Sequence, residues 1–130
     1  MASIFTKIIK GEIPCYKIAE DEKHFAFLDI NPNSPGHTLV VPKDEVDRIF
    51  DLSEEDYSDL MMFSRKIGKA IESVIPCQRV GISVIGLEVP HCHVHLIPLA
   101  DMSSANFQNK VKLSPEEFER LATKISEAIH

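Results

Sequence analysis

The stretch Pro90-His91-Cys92-His93-Val94-His95-Leu96-Ile97-Pro98 places a histidine at every second position of a short apolar run between two prolines. Alternation of this kind is the period of a β-strand, so the sequence predicts a strand over residues 91–99 with His91, His93 and His95 on one face. The apolar residues between them then face the core. A neutral imidazole can act as a nucleophile, a general base or a metal ligand. Three of them on one face predict a chemical site rather than a packing surface.

The composition indicates one domain. The chain has 130 residues, of which 44% are hydrophobic, and a domain of this size buries a full core without disulfides or metal. Its three cysteines, Cys15, Cys77 and Cys92, form no close-spaced pair, which favours a reducing cytoplasm over an oxidising compartment. No apolar run approaches the roughly 20 residues that span a bilayer. We therefore expect a soluble, cytoplasmic protein that is not associated with a membrane.

The charge of the chain limits its partners. The net charge is −6, and no stripe of lysine and arginine is visible in the sequence. A protein that binds nucleic acid through its phosphate backbone needs such a stripe. We therefore expect no nucleic-acid partner, and any phosphate that the protein binds must be held by a local site.

Helices and strands are predicted in separate blocks. Apolar residues at helical spacing predict a first helix that ends near Gly11, a long helix that starts after Ser53 and ends before Pro76, and a last helix that is capped by Ser114. Five strands are predicted, over residues 16–19, 25–30, 38–41, 80–85 and 91–99. This order indicates an α+β fold rather than repeated βαβ units.

Residues 91–97, HCHVHLI, resemble the signature of the histidine triad (HIT) family, in which three histidines alternate with apolar residues. Three further blocks resemble family blocks in the family order: IFTKIIKGEIP at 4–14, FAFLDINPNSPGHTLVVPK at 25–43 and GLEVP at 86–90. Several spaced blocks in order are more specific than one short motif. The chain is identified as a member of this family, nearest to its nucleotide-binding and phosphoramidase (HINT-like) branch.

The resemblance implies a five-stranded antiparallel sheet with flanking helices, and a homodimer that joins two such sheets. It implies a HIT domain over residues 1–107, with residues 108–130 forming a C-terminal amphipathic helix packed on the same domain. The implied activity is hydrolysis or transfer of nucleoside phosphoramidates or related nucleotidyl conjugates, with a purine nucleotide as the partner and no cofactor. In it, His93 forms a covalent nucleotidyl-histidine, and water then releases a nucleoside monophosphate.

The resemblance also implies roles for the residues around His93. His95 and His37 match the positions that contact the phosphate or its leaving group, and either can protonate that group. His91 matches the position whose carbonyl fixes the other ring nitrogen of His93. Asp29 matches the acid that binds the ribose hydroxyls. Further matches, in the apolar slot for the base and in the turn before the triad, are Ile4, Phe5, Ile8 and Phe27, and Gly86 and Glu88. The four apolar residues suit an ordinary core equally well.

The chain departs from the family pattern in two places. Leu87 stands where many relatives have glutamine, and the strand before it lacks their asparagine, so fewer side-chain donors are expected at the phosphate. Ser3 and Thr6 occupy the places where some relatives bind structural zinc through Cys-x-x-Cys. We therefore predict no structural zinc and no metal ligands.

Three alternatives remain open. A diadenosine polyphosphate hydrolase is the first, although the block at residues 4–14 favours the phosphoramidase branch. A nucleotide-binding module with little turnover is the second, because the phosphate donors are fewer. A metal site is the third, since three histidines on one strand face can hold zinc with a vacant position. Because the histidines stand two positions apart along one strand, two of their rings can reach one ion more easily than all three can.

Overall fold

The computed structural model describes residues 2–130, which contain three α-helices and five strands. The helices are α1 (Ile4–Ile9), α2 (Glu54–Val74) and α3 (Pro115–Glu127), and the strands are β1 (Lys17–Glu20), β2 (His24–Leu28), β3 (Thr38–Pro42), β4 (Arg79–Ser83) and β5 (Val94–Leu99). No helix within residues 2–130 combines the length and the apolar character that crossing a membrane requires.

The strands form one sheet in the order β1-β2-β3-β5-β4, and every neighbouring pair is antiparallel. The predicted α+β class with a five-stranded antiparallel sheet is therefore confirmed. The predicted start of the histidine strand is wrong, because β5 begins at Val94 and not at His91. The N–H of His91 donates to Val89 O at 2.8 Å, and that of Cys92 donates to Val46 O at 2.7 Å. These loop contacts take the place of strand pairing.

The two faces of the sheet carry different layers. On one face, α2 and α3 cover the main core, into which Ala26 and Leu28 of β2 point. On the other face, the alternate residues Phe25 and Phe27 pack against α1 in a smaller cluster. Strand β5 follows the same alternation, because Val94 and Leu96 lie in the main core and successive side chains of a strand point to opposite faces. His95 therefore faces the α1 side of the sheet, and His91 and His93, which precede the strand, pack against Phe5 of α1.

The helix starts follow the predicted capping signals. Ser53 Oγ accepts the N–H of Asp56 at the start of α2. Ser114 and Glu117 form a reciprocal capping box at the start of α3, with Pro115 in the first turn, a pattern that satisfies N–H groups with no partner inside the helix. The apolar stripe of α3 is buried in the main core, so the C-terminal helix shares that core with the sheet.

Candidate active site

Four buried histidines, His37, His91, His93 and His95, meet on the α1 side of the sheet. His95 lies on β5 opposite Leu39 of β3, and His37 immediately precedes β3. The ring centroid of His95 lies 5.1 Å from that of His93 and 5.2 Å from that of His37. Strand pairing between β3 and β5 thus brings together residues that are 58 positions apart in the sequence.

His93 is held in one orientation by the backbone. Its Nδ1 lies 2.7 Å from the carbonyl oxygen of His91, and because a carbonyl only accepts, Nδ1 carries the proton in the neutral ring. The lone pair is then on Nε2, the nitrogen that is free to attack. The edge of the Phe5 ring packs at a centroid distance of 4.9 Å from His93. The predicted bond between the His91 carbonyl and His93 is therefore present in the structure.

His91 is fixed in turn by two partners. Its Nε2 donates to the carbonyl of Pro42 at 2.8 Å, so Nδ1 accepts the hydroxyl proton of Ser3 at 2.6 Å. Glu45 Oε1 accepts the N–H of Ser3 at 2.5 Å and the hydroxyl of Thr6 at 2.7 Å. Ser3 thus ties the start of α1 to the loop that precedes the nucleophile, and the bonds of Ser3 and Thr6 to Glu45 tie it to the loop after β3.

His37 and His95 form a directional pair. His37 Nδ1 accepts the backbone N–H of Asn33 at 2.9 Å, so its ring proton is on Nε2. That Nε2 lies 2.9 Å from Nδ1 of His95 and donates to it. The remaining proton of neutral His95 is therefore on Nε2. Of the two rings, only His95 therefore keeps an N–H, at Nε2, that is not used in the bond between them.

Burial keeps these rings neutral. It lowers the pKa of His37 from 6.5 to about 3, with the charges of His95 and Lys110 as smaller causes. It lowers the pKa of His95 to about 4, with His93 and Lys110 as further causes. The pKa of His91 is also lowered, mainly by burial. A neutral His37 cannot form an ion pair, so its 3.6 Å approach to a carboxylate oxygen of Asp29 is a polar contact only.

Asp29 lies at the edge of the histidine cluster, at the end of β2. Its Oδ1 accepts the N–H of Asn31 at 2.9 Å, and Oδ2 faces His37. Burial is the largest influence on this carboxyl and raises its pKa, although the nearby charges of Lys110 and His93 oppose the change. The structure brings Asp29 to the histidines, where it can accept further hydrogen bonds.

Of the four apolar residues that were expected to hold the base of the nucleotide, three lie together in the structure and one does not. Phe5, Ile8 and Phe27 belong to the apolar cluster under α1, and the Phe5 ring contacts both Phe27 and His93. Ile4 is 47% exposed and lies outside that cluster. It can line the rim of a slot but not its floor.

The turn before the triad lies apart from the ring contacts. Gly86 has a φ of +70°, a conformation that L-residues avoid. Glu88 and Leu87 are exposed, and among the described residues neither Gly86 nor Glu88 forms a hydrogen bond with the four histidine rings. Their predicted contact with a phosphate therefore remains a prediction.

Besides Ser3 and Glu45, three further residues near the site were not predicted. Asn33 orients His37 through its backbone, and the ring of Phe107 packs against His95 with its centroid 4.9 Å away. Lys110 donates to Asn33 Oδ1 at 2.8 Å. Asn33 sits in the turn-forming sequence NPNSPG, which indicates a loop but not its contacts. Phe107 and Lys110 lie in a segment without periodicity, so the sequence holds no signal for them.

The metal-site alternative requires ligand atoms from the three triad histidines, but the structure brings together a different set. Asp29, His37 and His95 each place one such atom within 4.8 Å of the others. However, His37 and His95 share a proton across their 2.9 Å contact, and a cation must displace that proton to bind both nitrogens. The donor set therefore fits a hydrogen-bonded pair better than a metal centre.

Comparisons with known proteins agree with this geometry. The HIT domain family model matches residues 10–102. A Schizosaccharomyces pombe relative named as an adenosine 5'-monophosphoramidase is 38% identical over 133 residues, covering 99% of each chain. A Saccharomyces cerevisiae relative of the same name is 39% identical, covering 79% of this chain and 66% of that one.

A Hit-like protein from Bartonella henselae, known from its crystal structure, superimposes with a TM-score of 0.84. It is 31% identical to this chain and is matched over 98% of this chain and 96% of its own. The expected family, branch and enzyme class are therefore confirmed. This chain is an enzyme of the HIT domain family, in the branch whose members are named as adenosine 5'-monophosphoramidases.

Proposed function

We propose that this protein hydrolyses nucleoside phosphoramidates, or related nucleotidyl conjugates, through a covalent nucleotidyl-histidine on His93. The observation that carries the proposal is the bond from His93 Nδ1 to the His91 carbonyl, which leaves Nε2 as an oriented nucleophile. The names of the yeast relatives support the substrate class. Histidine is a recognised nucleophile in covalent catalysis, where one difficult displacement becomes two easier ones.

In the first step, the lone pair of His93 Nε2 forms a bond to the α-phosphorus. The P–N bond of the substrate breaks, and its electron pair leaves with the amine, which takes up a proton. In the second step, water adds to phosphorus, the His93–P bond breaks and its electrons return to Nε2. The proton that water loses returns to the protein group that protonated the amine in the first step. The net products are a nucleoside monophosphate and an amine.

The hydrogen bonds favour His95 over His37 as the group that faces the reacting phosphate. The Nε2 proton of His37 is already donated to His95, whereas the Nε2 proton of neutral His95 is free to bond a phosphate oxygen or the leaving nitrogen. A preorganised donor of this kind stabilises the charge that develops in the transition state. His37 then acts through His95 as a positioning residue.

Asp29 and the apolar cluster suit the nucleoside part of the substrate. The carboxylate of Asp29 has an oxygen directed towards the site and can accept hydrogen bonds from two ribose hydroxyls. Phe5, Ile8 and Phe27 offer apolar surface beside His93. Contacts with the flat face of a base are tolerant of its identity, so we expect more than one purine nucleotide to bind.

The test is release of AMP from adenosine 5'-phosphoramidate by the wild type and by His93→Ala. We expect turnover by the wild type and a loss of at least about a thousandfold in the variant, because the nucleophile itself is removed. AMP binding without any release by the wild type would favour the nucleotide-binding module. Faster release from diadenosine polyphosphates than from the phosphoramidate would favour the alternative hydrolase.

We also propose that two copies join into the homodimer that the resemblance implies. Strand β4 is at the edge of the sheet, and Ile82 on it and Ile85 beyond it are about half exposed. An apolar edge strand offers unpaired backbone groups to a second copy. Light scattering after gel filtration tests this proposal: Ile82→Lys should shift a dimer towards the monomer, and a monomeric wild type would contradict it.

For the compartment, we propose the cytoplasm. Cys15, Cys77 and Cys92 are all free thiols in the structure, which suits a reducing environment. Fractionation of the native cell, with an antibody against the chain, tests this placement.

A further inference from the structure

The irregular segment between β5 and α3 is tied to the loop that carries two of the site residues. The N–H of Val111 donates to the carbonyl of Pro32 at 3.0 Å. The side-chain amide of Asn33 donates to the carbonyl of Ser104 at 3.1 Å. Pro32 and Asn33 lie between Asp29 and His37, so these bonds hold the segment beside the site.

Phe107 of this segment packs on the histidine pair, and Lys110 packs on Phe107. The Phe107 ring meets His95 and His37 edge to face, with centroid distances of 4.9 and 6.1 Å. The Lys110 ammonium lies 5.0 Å from the centre of the Phe107 ring and 2.8 Å from Asn33 Oδ1. Both of these partners are neutral. Among the described residues, Lys110 forms no ion pair with a carboxylate.

The positive charge of Lys110 affects the pKa values of the site residues. It contributes to the lowered pKa of His37 and His95, and it opposes the burial that raises the pKa of Asp29. An anion placed among these groups lies within the same field, and because Lys110 is exposed, added salt screens its attraction. The site therefore contains a cation that is held in place without a charged partner of its own.

We propose that Lys110 binds the phosphate of the nucleotidyl substrate. The inference deepens the proposed function and rests on it. Bonds from an ammonium to a phosphate oxygen are stronger than those to a neutral amide, so a bound nucleotide draws the ammonium from Asn33 towards the phosphate. This cation compensates for the side-chain donor that the chain lacks at Leu87, which is 90% exposed.

The experiment compares binding of AMP and adenosine, measured by calorimetry on the full chain. Lys110→Met keeps an unbranched stem against Phe107 and removes the charge, and Lys110→Arg restores the charge. Lys112→Met is the matched control, because Lys112 is an exposed lysine of the same segment with no hydrogen bond or ion pair among the described residues. Each variant is measured at low and high salt.

We expect Lys110→Met to weaken AMP binding about tenfold at low salt and to change adenosine binding less than twofold. The salt dependence of AMP binding should fall in this variant, and Lys110→Arg should recover most of the affinity. Lys112→Met should behave as the wild type.

Equal losses for AMP and adenosine would overturn the proposal by showing a structural role. Equal losses in Lys110→Met and Lys112→Met would overturn it by showing a general effect of charge. AMP binding that Lys110→Met leaves unchanged would overturn it and leave the proposed function standing. Failure of the wild type to bind AMP at all would overturn both.

Discussion

His37 donates its Nε2 proton to Nδ1 of His95 across 2.9 Å, while its own Nδ1 accepts the backbone N–H of Asn33. This chain of two bonds sets the tautomer of both rings. It also means that a side chain outside the triad determines which nitrogen the last triad histidine presents to a substrate. The function of His37 can therefore be separated from that of His95 by experiment.

Removal of the His37 ring should lower catalysis without abolishing it. In His37→Ala, His95 loses the donor that fixes its tautomer, and we expect kcat/KM for the phosphoramidate to fall about tenfold to hundredfold. In His37→Gln, the side-chain amide can place an N–H near the position of the lost His37 Nε2 and donate to His95 Nδ1. This variant should therefore retain more activity than the alanine variant. His130→Ala, at an exposed position, is the control. Full activity in His37→Ala would contradict the positioning role.

Stability should fall in mild acid. The pKa of His37 and that of His95 are lowered in the folded protein to about 3 and about 4, so near pH 5 the unfolded chain binds protons on these rings and the folded chain does not. Their contribution is intact above about pH 6.5 and is lost as the pH falls towards 4. Two such protons give a slope of up to about 2.7 kcal/mol per pH unit.

Urea unfolding at pH 7, 6 and 5 measures this slope. In His37→Gln one of the two groups is removed, so the free energy of unfolding should depend less steeply on pH than in the wild type. A free energy of unfolding that is constant from pH 7 to pH 5 in the wild type would show that these rings are not held neutral by burial.

Asp29 should contribute to binding of the sugar rather than to chemistry. We expect Asp29→Asn to raise KM for the phosphoramidate about tenfold with a smaller change in kcat, because the lost interaction is with a part of the substrate that does not react. A substrate that lacks the ribose 2'- and 3'-hydroxyls provides the control. The wild type and the variant should use that substrate equally well, and an undiminished effect of the substitution would exclude the ribose contact.

Cys92 should be the least reactive thiol of the folded chain. Burial, with a smaller effect of Asp47, raises the pKa of Cys92 to about 11, and only the thiolate is alkylated. Iodoacetamide at pH 8 should therefore label the half-buried Cys77 and Cys15 long before Cys92, as mass spectrometry of peptides can show. Unfolding in urea should make the three rates similar. Equal labelling of Cys92 in the native protein would contradict its burial.

The sequence predicts the fold well because its signals are local and periodic. The helix caps at Ser53 and Ser114 are two examples, and the alternation around Val94 assigns the faces of β5 correctly although the strand begins later than predicted. The late start depends on a backbone bond from Cys92 to Val46. No local pattern reports a contact between such distant positions.

The site is predicted less completely for the same reason. The positions of the triad and of His37 follow from motifs, but the donor to His91 is Ser3, 88 residues away. Likewise, Phe107 and Lys110 reach the histidines only because an irregular segment folds back onto the loop around Asn33. Such contacts are set by tertiary packing, which periodicity does not encode.

The central claim is that His93 carries the nucleotidyl group, and mass spectrometry of the protein during turnover tests it most directly. The full chain is mixed with adenosine 5'-phosphoramidate, quenched in alkali to preserve the acid-labile P–N bond, and mapped by peptide. We predict one adenylyl group, located on His93 and absent from His93→Ala. Turnover with the adduct on another residue, or turnover by His93→Ala at the wild-type rate, would contradict the account.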